Sequence, residues 1–264
     1  MKRLKKLFRV WLLSTRNVIL SQMTTGYAAI FFTLGKIVRF LFFFAFIFVV
    51  IRSTNFLAGY NSHQVIFFFL VFNIVDLSTQ FLFRAVYGFR PLVVRGEFDF
   101  YLVKPLPSFF RPLFAWADVL DLVVLVPLWI FSFYFVFRYG LVSQPIHLVY
   151  FLILYLASLI IGFAFHLFVA SVCVLTTEID HMILVYRDLI NMARFPTDIY
   201  PQGVRWVLTF VIPVALMITV PAKALLGLVS FWGTAAVLVA SLVLALASLR
   251  FWKFALTRYS SASS

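Results

Sequence analysis

The chain has 264 residues, is 64% hydrophobic and only 12% charged, and has a mean hydropathy of +1.06. A soluble domain carries about twice that share of charge, so a water-facing globule is excluded. The formal net charge of +13 would suit nucleic acid. Here the Lys/Arg residues gather beside apolar runs, as the positive-inside bias of membrane proteins requires, and no nucleic-acid partner is expected. The lipid bilayer is the partner that composition alone implies.

The N-terminal segment does not read as a cleavable signal peptide, because its basic residues interleave with apolar ones. Residues 2–16 read instead as a helix lying on the membrane. Lys2, Lys5, Lys6, Arg9 and Arg16 fall on one face, and Leu4, Leu7, Phe8 and Trp11 on the other. Lys5, Lys6, Arg9 and Trp11 are its candidate interfacial residues.

A first span is predicted over residues 28–51, with Lys36 and Arg39 snorkelling to the cytosolic headgroups. The outer loop 52–63 carries Gly59 and Asn61 as turn formers. A second span, 64–83, contains Asn73, Asp76, Ser78 and Thr79. A carboxylate at membrane depth is costly, so Asp76 should face protein or a wet cavity.

Residues 84–112 form the longest cytosolic loop, with Arg84, Arg90, Arg95, Lys104 and Arg111 against Glu97 and Asp99. Within it, Gly96 and Pro105 bracket room for about two helical turns. Acids near the start and Lys104 near the end suit the helix dipole. The plain alternative is an interfacial elbow docked on the chain's own helices.

Spans three and four are predicted over 114–137, with a Pro127 kink, and 147–175. Asp118 and Asp121, near the start of span three, read as helix-start acids. Three apolar candidates follow: 179–195, 206–227 and 231–252. Arg250, Lys253 and Arg258 place the C-terminus in the cytosol, so one candidate should fail to cross.

Two solutions satisfy this. In one, 179–195 crosses with a polar stripe of Asp180, Arg187, Asn191 and Arg194, and 206–227, broken by Pro213 and Pro221, re-enters from outside. In the other, 179–195 lies on the cytosolic surface and 206–227 crosses. Irregular backbone at membrane depth must be buried in protein or line a cavity. Either way the expected fold is an all-α integral membrane protein of six spans in one domain, residues 1–264, with both termini cytosolic. Asp76, Arg187, Asn191 and Pro213 are the candidate lining of a translocation path.

No P-loop occurs, since Gly35-Lys36 lacks the upstream Gly and the following Ser/Thr. Metalloprotease and serine-hydrolase signatures are also absent. The single cysteine, Cys173, excludes an intrachain disulfide. His63, His147, His166 and His181 are scattered, and no catalytic, cofactor or metal set assembles.

The run RGEFDFYLVKPLP, from Arg95 to Pro107, resembles the cytosolic signature of ABC type-2 permeases, in their small six-span subgroup. FPTDIYP from Phe195, LTFVIPVA from Leu208 through Pro221-Ala222, and the tail RYSSASS from Arg258 resemble the same subgroup. The resemblance covers essentially the whole chain. It implies an exporter subunit of the plasma membrane (the bacterial inner membrane) that binds no cofactor. ATP and Mg would be used by a separate ABC ATPase subunit, and a second permease chain, identical or homologous, would complete the membrane unit.

The resemblance further implies a coupling helix touching the ATPase, carried here by Arg95, Gly96, Glu97, Phe98, Asp99, Tyr101, Leu102, Lys104 and Pro105. The N-terminal helix would touch it as well. The family's outer re-entrant helices favour the first topology, with 206–227 re-entrant. The cargo would be amphiphilic or hydrophobic. From residues alone, two other classes stay open: a gradient-driven carrier or channel using Asp76, Asp118 and Asp121, and a non-transporting scaffold.

Overall fold

The computed structural model describes residues 2–24, 27–54, 56–176 and 180–260. The chain is helical almost throughout. Helix α1 spans Lys2–Thr24, eight residues beyond the end expected from the sequence. Its Trp11 ring meets Phe81 edge-on at 6.3 Å. Thr15 Oγ1, on the same face, accepts from the Ala117 amide at 3.1 Å. Thus one stripe of α1 docks on the protein, while Phe8 and Leu12 stay exposed on the other side.

Helix α2, Tyr27–Thr54, is followed by a two-residue hairpin in which Phe56 and Leu57 pair with Asn61 and Tyr60. Ala58 and Gly59 both have positive φ at its turn, which suits the twist of a two-residue hairpin loop. Asn61 then caps helix α3, Ser62–Phe83, in a reciprocal capping box with Gln64. The turn residues named from sequence therefore close the 52–63 loop and start the next helix.

Helix α3 is the centre of the bundle. It runs on through a 3-10 turn, Arg84–Gly88, into helix α4, Phe89–Val94, and 72% of its apolar window is buried. Helices α5, Asp99–Leu102, and α6, Phe110–Phe114, complete the loop between α3 and α7. Helix α7 is Leu120–Arg138, and Pro127 sits inside it without ending it. Asp118 accepts from the Leu120 amide at 3.2 Å at the helix start, as its position suggested.

Helix α8, Pro145–Thr176, packs most extensively on the last helix, α12, Phe231–Thr257. It also closes tightly on α3. A Cβ on Gly162 would lie 2.6 Å from Thr79 Cγ2, so the crossing depends on glycine's missing side chain. Tyr155 Oη donates to Ser78 Oγ at 2.8 Å beside it.

Helix α9, Asp180–Asn191, has only 12 residues and passes into a 3-10 turn, Met192–Arg194. This segment steps along α3 in the antiparallel sense. Arg187 lies close to Tyr87, beyond the end of α3. Arg194 lies over the Phe72 ring at 5.5 Å. Asp198 then accepts from Tyr60 at 2.9 Å, before the start of α3.

Next come α10, Gln202–Trp206, and α11, Val220–Leu225, joined through two π-helical stretches. The arms Gln202–Val211 and Ala215–Leu225 bend by 84°. Pro213 forces that bend. It excludes helical geometry at Ile212, which is extended at φ −125° and ψ 94°. The second arm is buried, with Ser158 Oγ donating to the Met217 carbonyl at 2.6 Å. Such a bond satisfies the loosened backbone where water is scarce.

Four helical stretches among the described residues are long and apolar enough to cross a membrane, or five if the bent pair is one span. The protein is thus an all-helical multi-pass membrane protein.

Candidate functional site

Two regions gather the chemistry. The first is the 84–112 loop, whose helix is shorter than the sequence implied. Gly96, at φ +71°, ends the α4 segment, and α5 is a single turn. Phe98 anchors it. This ring is fully buried, edge-on to Phe89 at 5.0 Å, to Trp252 at 6.2 Å and to Tyr259 at 5.7 Å. Trp252 Nε1 also donates to Ser108 Oγ at 2.9 Å.

The end of the chain therefore clamps the loop from beneath. Burial first, and then the facing Asp99 carboxylate, push the Tyr259 hydroxyl up to about 12. Tyr101 is sandwiched by Lys104 Nζ at 4.3 Å and the Arg111 guanidinium at 4.6 Å from its ring centre. Arg95 and Glu97 form a largely exposed pair at 3.9 Å. Leu102 and Pro105 lie at the surface.

Beside these anchored groups the loop presents bare apolar side chains. Phe100 is 69% and Val103 83% exposed. Lys5, Lys6 and Arg9 of α1 are exposed as well.

The second region is a cavity of about 270 Å³ between α2, α3, α7 and the α9 segment. Its lining includes Lys36, Arg39, Asn73, Asp76, Gln80, Arg84, Arg187 and Arg194, with a wall of Phe40, Phe69 and Phe72. Asp76 and Arg187 are thus brought together, as proposed from sequence. Asn191 stands one step behind, accepting from Arg194 at 2.8 Å. Pro213 is elsewhere, in an apolar groove with Phe165, Phe168 and Phe251.

Lys36 was expected to snorkel, yet it turns inward. It pairs with Asp121 and lies 3.6 Å from Asp118, which also sits 3.6 Å from Arg84. Both carboxylates are buried, and a buried charge needs such partners. Asp76 is held by Gln80 at 2.9 Å, and Gln80 accepts from Arg84 at 2.9 Å. Sequence reasoning missed Lys36, Arg39, Arg84 and Gln80 as lining residues. The available signal was the spacing of 36 and 39 on one face of an apolar helix.

A further ion cluster lies at the opposite end of α3 from the 84–112 loop. Lys223 Nζ reaches both Asp198 oxygens, at 2.9 and 2.7 Å, and Arg205 lies at 3.5 Å. Burial works against the Asp198 charge. Lys223, Tyr60 and Arg205 outweigh it and hold the carboxyl below its usual range.

The fold and these two regions define the class as a multi-pass helical membrane protein with a clamped loop at one end of α3 and a polar cavity among its helices. The chain belongs to the ABC-2 family transporter proteins, whose family pattern matches residues 34–263. No curated protein and no solved structure matches it.

Proposed function

We propose that this chain is the permease subunit of an ATP-driven exporter, with ATP and Mg²⁺ handled by a separate ABC ATPase docked on the 84–112 loop. The observation that carries this reading is the loop itself, in a chain of the ABC-2 family. A buried aromatic clamp at Phe98 fixes it to α12, while Phe100 and Val103 are left bare in the cytosol. Rigid fixation transmits force, and an exposed apolar pair among charges is what a partner surface covers.

Two such chains, identical or homologous, form the membrane unit in the inner membrane, with N- and C-termini cytosolic. The antiparallel path of 180–200 along α3 supports a broken fifth span, and the 84° bend supports a re-entrant outer hairpin. The count is then six. ATP-driven closure of the ATPases favours one of two bundle states through different contacts of the loop in each. An amphiphilic or hydrophobic cargo follows the helices outward.

Pairing of Asp118 and Asp121 with Lys36 and Arg84 removes two of the three acids that a proton-driven carrier would use. The test replaces Phe100 and Val103 with Ser together. The bundle should fold as before, and copurification of the ATPase should be lost. An unchanged ATPase yield would refute the docking role.

A further inference from the structure

The bent hairpin encloses a cleft between its two arms. Its volume is about 410 Å³, within the range of ligand pockets. It lies beside Asp198, at the end of α3 away from the 84–112 loop. Gln202, Arg205, Trp206 and Phe210 line it from the first arm, three or four residues apart on one face. Ala215, Thr219 and Lys223 line it from the second.

The open end of the cleft is rich in unspent donors. Asp198 is saturated there. Lys223 reaches both of its oxygens, Tyr60 donates at 2.9 Å and Arg205 stands at 3.5 Å. A carboxylate has about four acceptor sites, so Asp198 has no capacity left for a cation on a ligand. Arg205 does have capacity. Its guanidinium carries five N–H donors, yet the side chain is 46% exposed and the 3.5 Å approach to Asp198 is its one described tie.

Gln202 is exposed, and its amide makes no described hydrogen bond. On the floor, Thr219 is buried. Its hydroxyl accepts from the Thr197 amide at 3.3 Å and makes no described bond as a donor. A buried hydroxyl hydrogen costs free energy unless it meets an acceptor. Donors on three side chains therefore call for a ligand rich in oxygen acceptors. A guanidinium fork matches the paired oxygens of a phosphate.

Toward the bend the lining turns apolar. Trp206 and Phe210 are largely exposed, with ring centres 5.6 Å apart, and Ala215 faces them across the cleft. Donors at the open end and aromatic rings toward the bend follow the order of a lipid, headgroup and then chain. A free anion would use only the open end.

We propose that this cleft holds the phosphate headgroup of a membrane lipid, with Arg205 and Gln202 gripping the phosphate, Thr219 donating from the floor and the acyl chain lying along Trp206 and Phe210. That the chain points into the bilayer rests on the re-entrant reading; the phosphate contacts do not.

The test uses the full chain in mild detergent, with native mass spectrometry of retained lipid. Phosphatidylglycerol and diacylglycerol of equal chain length are the probes, and inorganic phosphate is the competitor. Phosphatidylglycerol should be retained in preference. Arg205→Gln should lower its retention about tenfold, the worth of one charge-assisted hydrogen bond, and Gln202→Ala about fivefold, the worth of a neutral one. Arg138→Gln is the control for general charge attraction. It removes an exposed arginine at the same end of the bundle, beside Tyr139, and should leave retention unchanged.

If Arg205→Gln fails to fold, Gln202→Ala carries the test, because the exposed Gln202 side chain holds no described partner. Equal retention of both lipids, no response to Arg205→Gln and Gln202→Ala, or an equal loss in Arg138→Gln overturns the proposal. Displacement of the lipid by an equal concentration of inorganic phosphate assigns the site to a free anion and overturns the lipid claim. None of these readouts needs an ATPase, so their failure beside intact ATPase copurification would leave the exporter reading standing.

Discussion

Replacing Phe98 with Ala should release the 84–112 loop without unfolding the bundle. Phe98 has no exposed surface and makes three aromatic contacts, to Phe89, Trp252 and Tyr259. Truncating a buried Phe costs about 3–5 kcal/mol, the transfer energy of the ring plus the cavity left behind. The segment it anchors holds only one turn of helix, Asp99–Leu102, which has no stability of its own. Nearly the whole loss therefore falls on local opening.

At about 1.4 kcal/mol per tenfold, amide protection in the loop should drop by a factor of about 10² to 4 × 10³. Hydrogen exchange of the purified protein in nanodiscs reads this directly, because the Tyr101 and Leu102 amides both donate to the Phe98 carbonyl. Protection along α3 and α8 should stay unchanged, and Phe98→Leu should recover part of the loss. Unaltered exchange at residues 98–103 in the Ala variant would refute the clamp.

Three further outcomes follow from particular contacts. Gly162→Ala should destabilise the α3–α8 crossing by about 1–3 kcal/mol, and Thr79→Ser in the same chain should restore most of it by removing the clashing Cγ2. Thermal unfolding in detergent reads both variants. Lys36→Met should cost about 3–5 kcal/mol by stranding Asp121 in the bundle, and the Lys36→Met/Asp121→Asn double variant should be measurably more stable than Lys36→Met. Asp198 has a lowered pKa, so its contribution is present above the ordinary carboxylate pKa of about 4 and is lost as pH falls through its folded value. Hydrogen-exchange protection of residues 197–206, taken relative to the intrinsic exchange rate at each pH, should therefore fall only below about pH 4, and Asp198→Asn should show the low protection at neutral pH.

The sequence located elements better than it located partners. Apolar runs and caps set the ends of α3, α8 and α12 to within a few residues, because a helix in lipid must satisfy its own backbone and needs no distant information. Of the two breaks expected at Pro213 and Pro221, the chain bends at Pro213, where local sterics decide, while Pro221 sits in the first turn of α11, where its missing N–H costs nothing.

Lys36 is the opposite case. Its neighbours on α2 made snorkelling the cheapest reading. Its actual partner, Asp121, is 85 residues away, and no local pattern encodes that pairing. Arg84 and Gln80 joined the cavity for the same reason: they became lining residues only when α7 and the α9 segment packed beside α3. The loop helix was shortened by Phe98, which reads as one more apolar residue in sequence but is drawn under the loop by Trp252 and Tyr259. Asn191 was expected to line the path, yet it accepts from Arg194 and does not line the cavity.

The most direct test of the account is affinity purification of the full chain from its native membrane in mild detergent, with mass spectrometry of what accompanies it. The account predicts an ABC ATPase in stoichiometric amount, lost when residues 96–104 are scrambled and regained with the native loop. Recovery of the chain with no ATPase, under conditions that keep a control ABC complex whole, would contradict it.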